Sequence, residues 1–285
     1  MSRDSGFTVL EMVVAMALTV TVVAAVFTVV GGGPDAFAVQ TEVSDMHQRL
    51  RVASGTLIHD LMSATAVRPY RSHGPDADPP GTVTSDTLTA IGNAAITTYW
   101  LKRDRAGTYQ LMSYAGGGGA DVPVVDNIVA LAFDYVGDPA PPTIVRPLTD
   151  PTGPWTTYGP PPAAGAVPPF AAGENCIFVD DGSGTPAPRL AVLAPPPASL
   201  IDLPAALFSD GPWCPDDASA DRWDADLLRV RTVVVTVRVQ AAAAALRGPT
   251  GPLFAHGGTS NAPSRWAPDV EVRVQVAPRN LNAGR

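Results

Sequence analysis

An acid inside an apolar run, two cysteines, two clusters of aspartates and four histidines are the side chains here with chemistry to offer. Glu11 lies five residues into Phe7–Val30, an otherwise almost unbroken apolar run of 24 residues. An ionised carboxylate there is costly and usually has a purpose. Either it neutralises a cation, or it lies near one end of the run and snorkels to polar headgroups. Cys176 and Cys214 both follow that run. In an oxidising compartment such a pair forms a disulfide rather than a metal site. Closing a loop of about 39 residues contributes on the order of 3–5 kcal/mol in the chain-entropy model. The alternative is two separate buried thiols. Asp180-Asp181-Gly182-Ser183 and the group Asp216, Asp217, Asp221, Asp224 and Asp226 are candidate calcium loops, with Asp180, Asp181, Asp216 and Asp217 as candidate ligands. Calcium takes six to eight oxygens and neither stretch has the EF-hand spacing, so solvated loop acids are the competing reading. His47, His59, His73 and His256 show no metal-ligand spacing. There is no G-x-S-x-G elbow, no H-E-x-x-H pair and no phosphate-binding glycine loop with its lysine. No enzyme activity and no cofactor are expected from these residues. Trp213 and Trp223 flank the second acidic group, and Trp155 and Trp266 lie in other loops; they serve as a partner-facing surface or as buried anchors.

These groups must be held by elements, and the first is the apolar run. As a helix, 24 residues span roughly 36 Å, enough to cross a hydrocarbon core about 30 Å thick. Gly31-Gly32-Gly33-Pro34 favours a break where this helix leaves the membrane. From Asp35 a second helical pattern begins: Val39, Val43, Met46, Leu50, Ala53, Leu57, Leu61 and Ala64 form one apolar stripe. It is expected to end near Arg68-Pro69. Strand patterns follow at Thr82–Ile91, Ala95–Arg103, Thr108–Tyr114 and Val122–Val136. Further ones occupy Cys176–Val179, Arg189–Ala194, Leu228–Gln240 and Val270–Val276. Lys102–Gly107 reads as a hairpin connection, Gly116–Gly119 as a flexible linker, and residues 137–175 as a Pro/Gly-rich stretch without pattern.

A net charge of −8 across 285 residues, with Lys102 the only lysine, excludes nucleic acid as the main partner. Thirty Pro and 26 Gly in clusters indicate a loop-rich extracytoplasmic domain. Helix first and antiparallel strands after predicts an α+β fold, a long N-terminal helix packed on antiparallel sheets.

The order polar leader, Gly6, Phe7, Glu11 and long apolar helix resembles the class III signal of type IV pilins and type II secretion pseudopilins. The resemblance implies cleavage after Gly6 by a prepilin peptidase and N-methylation of Phe7. It divides the chain into a leader (1–6), a transmembrane helix (7–30), a hinge with an amphipathic periplasmic helix (31–68) and a β-rich pilin-like domain with Pro/Gly-rich insertions (69–285). Phe7 would then carry an α-amine at the membrane, and a carboxylate on its own or a neighbouring helix would neutralise it. If each amine meets the Glu11 of the preceding subunit, the penalty of a lone buried charge fixes the stacking register. Thr97–Tyr114, Val129–Tyr135 and Val274–Asn280 are similar to the J-type minor pseudopilin of type II secretion, and equally to the W-type minor pilin. The implied partners are other pilins through the N-terminal helices, the peptidase and an inner-membrane assembly platform. The implied location is the inner membrane, single-pass with the C-terminal domain in the periplasm, and then the pilus or pseudopilus, which can extend to the cell surface. The size of the domain favours a minor, tip or priming role over that of a repeating shaft subunit.

Three other readings compete. An ordinary secretory signal would be cut at Ala36-Phe37-Ala38, but the run is long for one and contains an acid. A membrane-anchored periplasmic enzyme would keep its activity without Gly6. A secreted adhesin or binding protein would be found free of the membrane.

Overall fold

The computed structural model describes residues 8–31, 33–73, 77–79, 81–93, 95–103, 109–142, 170–171, 174–183, 186–195, 199–220 and 222–281. Gly6, Phe7, Trp155, Asp221 and most of the 137–175 stretch lie outside them. The chain divides into two units, residues 1–46 with 241–268, and residues 47–240 with 269–285.

The first unit contains the apolar helix α1 (Val9–Gly31) and the opening turns of α2 (Gly33–Ser63). α1 is helical to Gly31 and α2 from Gly33, and Gly32 of the expected hinge lies outside the described residues. Residues 241–268 belong to this unit. The Glu42 carboxylate accepts the Ala242 N–H at 2.7 Å. Phe254 and Trp266 meet edge to face at 5.6 Å between ring centres. Gly248 lies against both rings, where a Cβ would come within 2.7 Å of Trp266 and 2.8 Å of Phe254. Only glycine lets the backbone pass that closely.

In the second unit, Leu50, Ala53, Leu57 and Leu61 of α2 are buried, as the three-and-four spacing requires. Asp60, one residue before Leu61, accepts a 2.6 Å hydrogen bond from the Tyr99 hydroxyl and ties the helix to a sheet. The helix ends at Ser63, earlier than the expected Arg68-Pro69. Ala64–Arg68 is instead strand β1, pairing Ala66 with Ile91, Val67 with Ala90 and Arg68 with Thr89. The Thr65 hydroxyl adds a 2.9 Å bond to the Ile91 carbonyl. Pro69 disfavours helix at its neighbour, but the open edge of a sheet claims the whole stretch Ala64–Arg68, with Thr65 and Val67 suited to a strand.

The five-stranded sheet runs β1-β2-β3-β4-β5 in sequence order, all antiparallel: β2 (Thr87–Gly92), β3 (Ile96–Arg103), β4 (Tyr109–Tyr114) and β5 (Val122–Asp126). Trp100, Met112 and Tyr114 bury one of its faces, with the Arg71 guanidinium 4.1 Å over the Trp100 ring. Gly116, Gly117 and Gly118, at φ of 80°, 70° and 78°, form the β4–β5 turn, where the Gly118 N–H reaches the Tyr114 hydroxyl at 3.0 Å. The expected linker is therefore a hairpin connection inside one sheet.

The expected single strand Val122–Val136 is two. Asn127, at φ 61°, turns the chain out of the first sheet, and β6 (Ile128–Gly137) enters a second. Asn is among the few side chains that adopt this left-handed region readily. The second sheet has the order β13-β12-β6-β9, with β9 Ile201–Leu203, β12 Val230–Val239 and β13 Val270–Val276. Its core face carries Leu131, Phe133, Val233, Val235, Val237 and Val239, all buried. Two ribbons complete the unit: β7 (Phe178–Val179) with β8 (Ala187–Pro188), and β10 (Trp213–Cys214) with β11 (Trp223–Asp224). Arg189–Ala194, expected as a strand, is not one; the two-residue β8 lies before it, because Ala187 and Pro188 are the residues that pair with Val179 and Phe178.

Candidate functional site

Two places gather the residues singled out by their chemistry: the start of α1 and the region of the disulfide. At the first, Glu11 lies in the opening turn of α1. Its Oε2 accepts the Thr8 backbone N–H and the Thr8 hydroxyl, each at 2.9 Å, while the Glu11 N–H donates to the Thr8 hydroxyl oxygen at 3.3 Å. Thr8-Val9-Leu10-Glu11 is thus a capping box, in which the helix-starting Thr and the acid three residues on satisfy each other's free backbone donors. The signal for it is the T-x-x-E spacing itself. A carboxylate offers about four acceptor positions, so the box leaves capacity for a further donor such as an amine.

The helix that follows has no apolar stripe, because it is apolar all round. Val9, Leu10, Met16, Leu18, Val20, Val22 and Phe27 are all exposed. Val9–Phe27 is long and apolar enough to cross a membrane. Two of its hydroxyls are satisfied internally, Thr19 on the Ala15 carbonyl and Thr21 on the Ala17 carbonyl, both at 2.8 Å. Lipid offers no hydrogen bonds, so such back-bonding suits a helix surrounded by it.

At the second place Cys176 and Cys214 are joined, with Cα atoms 5.2 Å apart across 38 residues of sequence. Cys214 is opposite Trp223 in the β10–β11 ribbon, and Trp213 is opposite Asp224. Trp223 is buried; half-buried Trp213 lies beneath the Arg222 guanidinium, 4.6 Å from its ring centre.

Asp224 and Asp226 are not solvated loop acids, since both are buried. Asp224 accepts N–H bonds from Gly211 at 2.7 Å and Asp226 at 2.9 Å. Burial pushes its carboxyl up to about 7, against those bonds and with help from the charges of Asp226 and Asp210. Asp226 is paired with the fully buried Arg229, which also donates to the carbonyls of Pro139 at 3.1 Å and Ala191 at 2.5 Å. This charged set closes on itself and holds loops together.

The calcium candidates are different: Asp180, Asp181 and Asp217 are exposed and Asp216 is half-buried, and their contacts are local to their own loops. Asp180 accepts the Gly182 N–H and Asp181 the Ser183 N–H, each at 2.9 Å, and Asp216 accepts the Ala218 N–H at 2.8 Å. These are turn-forming contacts two residues on, the ordinary local use of Asp in a loop. Asp217 contributes its backbone carbonyl to Arg222. Among the described residues no three acids, cysteines or histidines converge in a geometry able to hold a metal. His47 and His59 are exposed, and His73 and His256 are half-buried in separate loops.

Residues 1–27 match the family model of the prokaryotic N-terminal methylation motif. No curated protein and no solved structure matches the chain. Over those residues, which hold the capping box and most of the exposed helix, the chain is similar to the N-terminally methylated, type IV pilin-like proteins.

Proposed function

We propose that the chain is a minor pilin or pseudopilin, a structural subunit that enters, primes or caps a type IV pilus or a type II secretion pseudopilus. The observation that carries this is the prepilin-type motif continuous with a helix exposed and apolar on every side. Such a helix needs lipid before assembly and other helices after it, and a filament core supplies the second environment. In this reading a prepilin peptidase removes residues 1–6 and methylates Phe7, and the new amine is neutralised by Glu11 of an adjoining subunit. The cleaved chain is held by the inner membrane with its β-rich part in the periplasm, a compartment that suits the Cys176–Cys214 disulfide. Two sheets, two ribbons and long Pro-rich connections make a bulky subunit, which favours a minor position at the tip or in priming.

The test is mass spectrometry of the mature N-terminus after expression with a prepilin peptidase. A chain that begins at methylated Phe7 supports the proposal. A retained leader, or a chain that begins at Val39 after a cut at Ala38, overturns it.

A further inference from the structure

The second sheet has an edge that no described strand covers. In the order β13-β12-β6-β9, β13 is an outer strand, paired with β12 over seven residues without a bulge, from Val233 opposite Val276 to Val239 opposite Val270. Natural sheets blunt such edges with bulges, prolines, charged side chains or very short strands; β13 has one charge of each sign, Glu271 and Arg273, which opposes only those registers that set like charges together. Here Pro268 and Pro278 bracket β13, and its interior is regular. Val270, Val272 and Val274 are only half-buried, although they continue the row of buried Val239, Val237 and Val235 on β12. The opposite face carries Glu271, Arg273 and Gln275, all exposed. Arg273 lies 3.5 Å from Asp134 yet keeps 67 % of its side chain accessible.

We propose that β13 pairs antiparallel with β13 of a second copy, with Val272 opposite Val272 across a two-fold axis. Charge selects both the partner and the register. Centred on Val272, the pairing puts Glu271 opposite Arg273 of the other copy, twice, and Val270 opposite Val274, also twice. Centred one residue later it would set Arg273 against itself, and one residue earlier Glu271 against itself. Like charges directly opposite one another destabilise a strand pair, and opposite charges favour it. Because side chains alternate faces, the Val272 register also aligns the two valine rows on one side, extending each apolar face past its present edge. Two four-stranded sheets would become one of eight. One strand pair buries less than the roughly 1,200 Å² of a stable soluble dimer. The contact therefore depends on the local concentration that a membrane-held chain provides.

The test is oxidative cross-linking of the full chain in phospholipid vesicles, read as dimer on a non-reducing gel. Directly opposed residues have Cβ atoms about 4.5–5.5 Å apart, so Val272→Cys is expected to give a dimer. Val274→Cys, whose symmetry mate is displaced along the strand, is expected to give roughly tenfold less. Arg273→Glu added to Val272→Cys sets two acid pairs opposite each other and should lower the yield about threefold or more. Exchanging both charges, Glu271→Arg with Arg273→Glu, should restore it. Failure of Val272→Cys to cross-link overturns the proposal. So does equal cross-linking at Val272 and Val274, which would report association through α1 alone. A yield that ignores both charge changes also overturns it. None of these outcomes depends on Phe7 being the mature N-terminus.

Discussion

Glu11 has two separable tasks, one local and one between subunits. The capping box needs an acceptor at position 11 facing Thr8, and glutamine fills that role nearly as well as glutamate. Neutralising an amine on another subunit needs the charge. Glu11→Gln should therefore keep the start of the helix but lose incorporation into filaments, whereas Glu11→Ala loses both and lets the first turn fray. Helicity in detergent and filament content, measured on the same variants, separate the two roles; a Gln variant that assembles normally would leave only the cap. Asp224 gives a residue-scale prediction of a different kind. Its carboxyl is raised from an unfolded value near 3.8 to about 7, so the folded state binds the proton more tightly. Stability from this group is complete below about pH 4 and is lost as pH rises through about 7. Asp224→Asn removes that loss and still accepts an N–H bond. Denaturant unfolding followed by Trp213 and Trp223 fluorescence should show the difference between variant and parent moving in the variant's favour by about 2–4 kcal/mol between pH 4 and 8. A constant difference would show that Asp224 does not titrate in this range.

Among the elements, the β10–β11 ribbon is the one most dependent on a covalent link. Its strands are two residues each, too short to be stable alone, and Cys214 fastens one of them to Cys176. Replacing both cysteines by serine should cost about 4 kcal/mol, the loop-closure value for 38 residues. Proteolysis should then open the 177–213 segment before the β2–β4 sheet; equal resistance with and without the bond would contradict this. The elements also show how far pattern reading reaches. Alternation in Val270–Val276 and the stripe from Leu50 to Leu61 were legible, because a single face decides their burial. The end of α2 was not, because Ala64–Arg68 is compatible with either state until β2 lies beside it. Asp126-Asn127 is a turn signal between β5 and β6, but the pattern around it does not say that the two strands join different sheets.

For the whole chain, the exposed α1 makes the strongest demand. A helix apolar on every face has no soluble resting place, so the full protein should remain with membranes through alkaline carbonate washing and leave only with detergent. Release by carbonate alone would contradict a spanning helix. The sequence by itself determined this part of the protein: the membrane-length helix, the acid within it, the prepilin-type motif and the order of helix before strands. All of these depend on neighbours within a few turns, and local spacing decides them. Only the tertiary structure decided which strands share a sheet, that Cys176 meets Cys214, and that Asp224 and Asp226 are buried partners rather than loop acids. Those outcomes depend on contacts between residues far apart in the chain, such as Arg229 with Pro139 and Ala191, and local pattern carries no record of which distant surface will arrive.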